Sequence, residues 1–181
     1  MIYKTLLIVF LLNIYTNYSD INQDNSNQFE FIAMEYIGMK NHIYRVVVTD
    51  THIVGLEVNG YISVSNKLNI GTTINKDSLA NPDAYVDKMM DIKYDNIDVD
   101  SADILKMNPK NFRILRSQIE SVNLSNKKKF GMGYYPYSGR VIIKSEKTLE
   151  NRKKKRDLIL VGNQDEQMIL EKIKINSDRQ H

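Results

Sequence analysis

The sequence predicts an α+β domain: a strongly bent antiparallel β-sheet rolled toward a barrel, with a helical insertion and a C-terminal α-helix as its cap. Three observations carry this expectation. From Ile104 onward, four short runs of alternating apolar residues are each bounded by turn residues. After them comes one amphipathic segment that starts at Asn163, with Glu166 three residues later in capping-box spacing. Ahead of them, between Phe29 and Val64, lies a comparable set of short runs rich in β-branched residues.

The chain begins with a segment of another kind. Met1 to Tyr15 carries one base, Lys4, and then the apolar run from Leu6 to Leu12. A positive start followed by roughly ten apolar residues has the dimensions of a signal-peptide core and falls short of the roughly 20 residues of a membrane span. Residues 1–19 are therefore expected to be a signal peptide or hydrophobic leader, placing the protein outside the cell or at a membrane. No small-residue cleavage pattern marks the leader's end, and no cysteine is present to carry a lipid anchor. The competing reading makes the segment a strand or helix of the domain and the location cytoplasmic. Residues 20–28 read as a polar linker, 29–176 as the folded domain and 177–181 as a tail.

Within the domain, Phe29–Met39 reads as a first strand, Gly38–His42 as a turn and Ile43–Val48 as a second strand. His52–Val58 is the third. Asn59-Gly60 is the strongest short hairpin signal in the chain, leading into a fourth strand at Tyr61–Val64. The pattern then breaks, and about 68–98 is the expected insertion. There Asn81 caps a short helix with Pro82 at its first position and Tyr85, Val86, Met89 and Met90 on its apolar face. Ala102–Met107 reads as a strand, Asn108–Asn111 as a type I turn, Phe112–Leu115 as a strand, and Arg116–Gln118 as a corner. Ile119, Val122 and Leu124 mark the next strand, before a Gly- and Tyr-rich loop at Gly131–Gly139. Val141–Ile143 and Leu158–Val161 are strands joined by a basic tip, Lys147–Arg156. Ile169, Leu170 and Ile173 form the buried stripe of the last helix.

Composition sets limits on function. An apolar fraction of 42% and a charged fraction of 26% in 181 residues suit one soluble globular domain plus a tail. The absence of cysteine excludes disulfides, thiolate zinc sites and cysteine nucleophiles. The net charge of +3 hides an uneven distribution. Asp83–Asp103 holds seven acids against Lys88 and Lys93, a net of −5, while Lys127–Arg156 holds eleven bases against Glu146 and Glu150, a net of +9. Such asymmetry steers partners or holds two faces of one fold together.

Two stretches carry a family resemblance. Lys110-Asn111-Phe112-Arg113-Ile114-Leu115-Arg116-Ser117-Gln118-Ile119-Glu120-Ser121-Val122 resembles a recurring phrase of bacterial pleckstrin-homology-like domain proteins, where a strand and a short turn lead to another strand, a basic hairpin and a closing helix. Val48-Thr49-Asp50-Thr51-His52-Ile53-Val54-Gly55 is similar to their early hairpin. The resemblance covers roughly Phe29 to Ile175, interrupted by the insertion. It implies a seven-stranded bent sheet capped by one helix, and a binding or scaffold role without catalysis. Eukaryotic relatives bind phosphoinositides through bases on the first hairpin; here that place offers Lys40 and Arg45, and the lipid-binding pattern is not reproduced.

The candidate contact surface is the pair of basic tips, Lys127, Lys128 and Lys129 with Arg152, Lys153, Lys154, Lys155 and Arg156, together with Tyr134, Tyr135 and Tyr137. The two loops are expected to adjoin and to meet an anionic membrane surface or a protein partner. No cofactor is expected. A second reading is a metal-dependent hydrolase using Asp95, Asp98, Asp100 and Asp103 with His52, which itself stands beside Asp50 either as an acid–base pair or, more often in a hairpin, as a turn histidine. The aspartates fail the EF-hand spacing, since Asp100 and Lys106 fall at the sixth and twelfth positions from Asp95. Gly131-x-Gly133 has no following Gly-Lys-Ser/Thr, so it is not a phosphate loop. A third reading is nucleic-acid binding by the same basic tips, which export would make irrelevant.

Overall fold

A computed structural model describes residues 28–38, 40–63, 71–129 and 136–174. The predicted leader and tail, and Tyr134 and Tyr135, lie outside the described residues. Seven strands form one strongly curled antiparallel sheet, a half-barrel. These are β1 (Phe29–Ile37), β2 (Lys40–Val48), β3 (His52–Asn59), β6 (Phe112–Leu115), β7 (Ile119–Ser125), β8 (Tyr137–Ser145) and β9 (Lys155–Val161). Their order across the sheet is β6-β3-β2-β1-β9-β8-β7. Two-residue strands β4 (Ile62–Ser63) and β5 (Thr72–Thr73) pair separately and in parallel. Helices α1 (Lys88–Asp91) and α2 (Ile104–Met107) are single turns, and α3 (Glu166–Lys174) follows the last strand. Among the described residues no helix is long and apolar enough to cross a membrane.

Strands β1, β2 and β3 are buried on both faces, which explains why β2 and β3 read as nearly continuous apolar runs. Phe31, Ala33, Tyr44, Val46, Ile53, Phe112, Val141 and Leu160 point into the half-barrel. Alternate residues Ile32, Met34, Ile43, Val47, Val54 and Leu56 point outward, where Tyr85, Tyr94, Val99 and Ile104 from the long β3–β6 connection cover them. The acidic connection is therefore a second wall of the core. Inside, α3 closes one end: Ile169 and Ile173 are each 2% exposed among the inner residues. Burying each stabilises the domain by about 1.5–3 kcal/mol.

Several local expectations change. Asn59-Gly60 makes no hairpin, since β3 lies between β2 and β6 while the following β4 pairs β5. Asn59 is 2% exposed, and its side chain donates to the Tyr85 carbonyl and accepts from the Thr72 hydroxyl. Its polar amide ties the connection to the sheet instead of turning the chain. Ala102–Met107 is not a strand: Ser101 accepts from the Asp103 N–H in the turn ahead of α2, whose single helical turn buries Ile104. The helix expected from Pro82 stops at Val86, because Asp87 caps a new turn by accepting from Met89 and Met90. Met89 is left 75% exposed. In α3 the cap is Asp165, which accepts from the N–H groups of Gln167 and Met168. Asn163 instead donates its N–H to the Ala80 carbonyl.

Candidate functional site

The end of the half-barrel away from α3 is its mouth, bordered by the β1–β2 turn, the segment leading into β6, and the β8–β9 loop. That loop is held by one buried residue. Asn151, 1% exposed, donates from Nδ2 to Ser145 Oγ at 2.8 Å and to the Lys153 carbonyl at 2.8 Å, and accepts from Arg156 Nε at 2.9 Å. The neighbouring Glu150 binds Arg113 of β6 with both oxygens, at 2.8 and 3.0 Å, while its carbonyl accepts the Arg113 N–H. A short polar loop is thereby fixed against the sheet edge, and Lys147, Leu149, Arg152 and Lys154 are left in solvent.

Beneath the loop is a recess of about 250 Å³ lined by Ile37, Leu105, Pro109, Lys110, Leu149, Glu150, Arg152, Lys153 and Arg156. Its deepest charge is Arg156, 5% exposed, which donates to Glu35 Oε2 at 2.9 Å. Lys153 reaches the same oxygen at 3.0 Å. Burial pushes the Arg156 guanidinium below its ordinary value, and the charges of Glu35 and Tyr44 oppose the shift without cancelling it. Burial, then the Glu35 charge, pushes the nearby Tyr44 hydroxyl well above its ordinary value, so it stays neutral and donates to the Lys110 carbonyl. The arrangement offers fixed positive charge and hydrogen-bond donors at a recessed surface.

The sequence-predicted contact residues do not form one patch. The β7–β8 and β8–β9 loops leave opposite ends of β8, because each joins β8 to an antiparallel neighbour. Lys127 and Lys128 are exposed, but Arg140 holds the Lys127 carbonyl at 2.7 Å and Lys129 lies 3.3 Å from Asp157. Lys129 also sits 5.9 Å from the Tyr36 ring centroid, on the outer face of β1, whereas Lys153 meets Glu35 on the inner face. Tyr137 begins β8, half-buried against the outer core. Lys155 and Arg156 belong to β9 rather than to the tip; Lys155 is exposed, and Arg156 is core. Arg152, Lys153 and Lys154 remain at the mouth. Lys110, Glu35 and Leu149 were missed, since each gains meaning only from the segment brought beside it.

The aspartates are dispersed. Asp100 Oδ1 accepts from Thr49 Oγ1 at 2.8 Å, Thr51 Oγ1 at 3.0 Å and His52 Nδ1 at 2.8 Å. His52 thus pairs with Asp100 and not with Asp50, and the imidazole Nδ1 is engaged in a turn. Asp98 accepts the Asp100 N–H, Asp103 pairs with Lys106 at 2.7 Å, and Asp95 is exposed. Among the described residues no three His, Asp or Glu side chains gather as a metal site. A larger recess of about 670 Å³ lies on the outer face beside Arg45 and Asp91, which pair with each other. No protein-family model, no curated protein and no solved structure matches this chain.

Proposed function

We propose that the chain is a non-enzymatic binding or scaffold module with a pleckstrin-homology-like roll, and that its mouth contacts an anionic membrane surface. Setting aside the small β4–β5 ladder, the strand order becomes fourth-third-second-first-seventh-sixth-fifth followed by a closing helix, which supports the family reading. The observation that carries the functional reading is the convergence of Lys110, Arg152, Lys153 and Arg156 on one recess. Leu149 stands on its rim at 93% exposure, an apolar tip among bases. Bases attract anionic lipid by about 1 kcal/mol each near the surface, and an apolar tip adds burial in the acyl boundary. A leader that places the chain at a membrane fits the same role.

The test uses three exposed bases whose removal leaves the fold intact. Lys110→Glu, Arg152→Glu and Lys154→Glu together should weaken sedimentation with phosphatidylserine-containing vesicles by at least about a hundredfold. Binding to phosphatidylcholine alone should be weak for every form. Unchanged binding to anionic vesicles would remove the mouth as the contact surface.

A further inference from the structure

β7 is the last strand of the sheet: β8 pairs one of its edges, and no strand among the described residues pairs the other. Soluble proteins usually shield such edges with prolines, bulges, charges or covering segments. β7 has no proline, one charge at Glu120, and its single irregularity at its start, between Ile119 and Ser121. Beside it lies a groove of about 380 Å³, between β7 and the last turn of α3. Ile119, Val122 and Ile173 give it an apolar floor, and Glu120 and Ser121 line it as well.

Arg116 lines the same groove and is 8% exposed. Its guanidinium donates to the carbonyls of Thr49 at 2.8 Å, Lys172 at 3.1 Å and Ile173 at 2.7 Å. Those oxygens are dipoles, not counter-charges. The Asp50 charge acts on Arg116, and the buried Nε has no acceptor among the described residues. A buried cation with an unused donor is costly to maintain. Lys174 adds a second base on the groove, at an exposed position.

We propose that this groove receives an extended acidic peptide segment of a partner protein, added to the outer edge of β7, with a carboxylate set against Arg116 and Lys174. Main-chain pairing supplies affinity, while the apolar floor and the paired bases select side chains. A small anion would satisfy the bases but leave the strand edge unpaired. This site is separate from the mouth, so either can fail alone.

The test is titration of the isotope-labelled full chain with short synthetic peptides of alternating Thr and Val. One carries a central Glu, one a central Gln, and one carries the Glu with alternate backbone nitrogens methylated. Saturable shifts of the amides from Glu120 to Leu124 and of Lys174 are expected with the Glu peptide. Affinity should fall about tenfold with Gln, and by a similar factor for the Lys174→Glu variant, as expected for loss of one charge-assisted contact. The methylated peptide should not bind. Amides of β7 that stay unmoved to millimolar Glu peptide overturn the proposal. So does equal binding of the methylated peptide, or β7 shifts that depend on protein concentration alone and so mark pairing with a second copy.

Discussion

The guanidinium carbon of Arg156 lies 3.5 Å from the centroid of the Phe112 ring, so a full charge rests against an aromatic face inside the half-barrel. Phe112 in turn meets Tyr44 edge-on, with centroids 5.4 Å apart. Glu35 completes the group from β1. Four strands, β1, β2, β6 and β9, are thus joined under the mouth by one ion pair, one cation–π contact and one edge-on aromatic pair.

Removing Glu35 strips the counter-charge from Arg156 and Lys153 together. Glu35→Gln should therefore destabilise the fold by about 3–5 kcal/mol, the scale for breaking a buried pair. Lys153→Met should cost no more than about 1 kcal/mol, because its side chain is one-third exposed and screened by solvent. Urea unfolding midpoints give the order; equal losses would show that Arg156 does not depend on Glu35.

Gly55 pairs across the ladder with Phe112, and a Cβ there would fall 2.0 Å from the ring. No L side chain fits without moving Phe112 off Arg156. Gly55→Ala should cost about 1–3 kcal/mol as overpacking. Adding Phe112→Leu to Gly55→Ala should recover part of that loss, which a thermal-melt double-mutant cycle would read as coupling. Strict additivity would mean that the contact does not limit packing.

Much of the sheet was legible because local signals and tertiary demands agreed. Ile43–Val48, Phe112–Leu115 and Ile119–Leu124 alternate or cluster as strands and are strands. Ile169 and Ile173 mark the buried stripe of α3. The local pattern misleads where a polar residue has two uses. Asn59 has the chemistry of a turn residue, yet its amide is spent on Tyr85 and Thr72. Arg156 sits in a run of bases that reads as a solvated tip, yet Glu35 draws it inward from a strand far away in sequence. Spacing along the chain carries no record of such partners. The opposed directions of the two basic loops follow from strand topology alone, once β8 is seen to be shared by both hairpins.

Asp100 and Asp157 give the fold an acid limit. Burial raises both carboxyls, but hydrogen bonds outweigh it. Those from Thr49, His52 and Thr51 hold Asp100 below the ordinary 3.8, and those from Arg140, helped by the Lys129 charge, do the same for Asp157. A depressed folded-state value stabilises the protein above the ordinary value and is lost as pH falls through the folded value. The urea midpoint should then drop progressively below pH 3.8, and Asp157→Asn should flatten that drop while lowering stability at neutral pH. An unchanged acid slope in Asp157→Asn would contradict the role given to the Arg140 pair.

Leu149 tests whether the mouth meets a bilayer or a dissolved anion. Its side chain is 93% exposed, so Leu149→Ala should leave the melting temperature unchanged. If the tip enters the acyl boundary, its insertion is worth about 1.5–3 kcal/mol, and the truncation should weaken vesicle binding by about tenfold or more. Leu149→Glu should weaken it further by setting a carboxylate against anionic headgroups. Vesicle sedimentation and inorganic phosphate titration separate the two sources of negative charge. Loss of vesicle binding with unaltered phosphate affinity would place Leu149 in the bilayer. Equal vesicle binding by all three forms would mean that the bases act without the apolar tip.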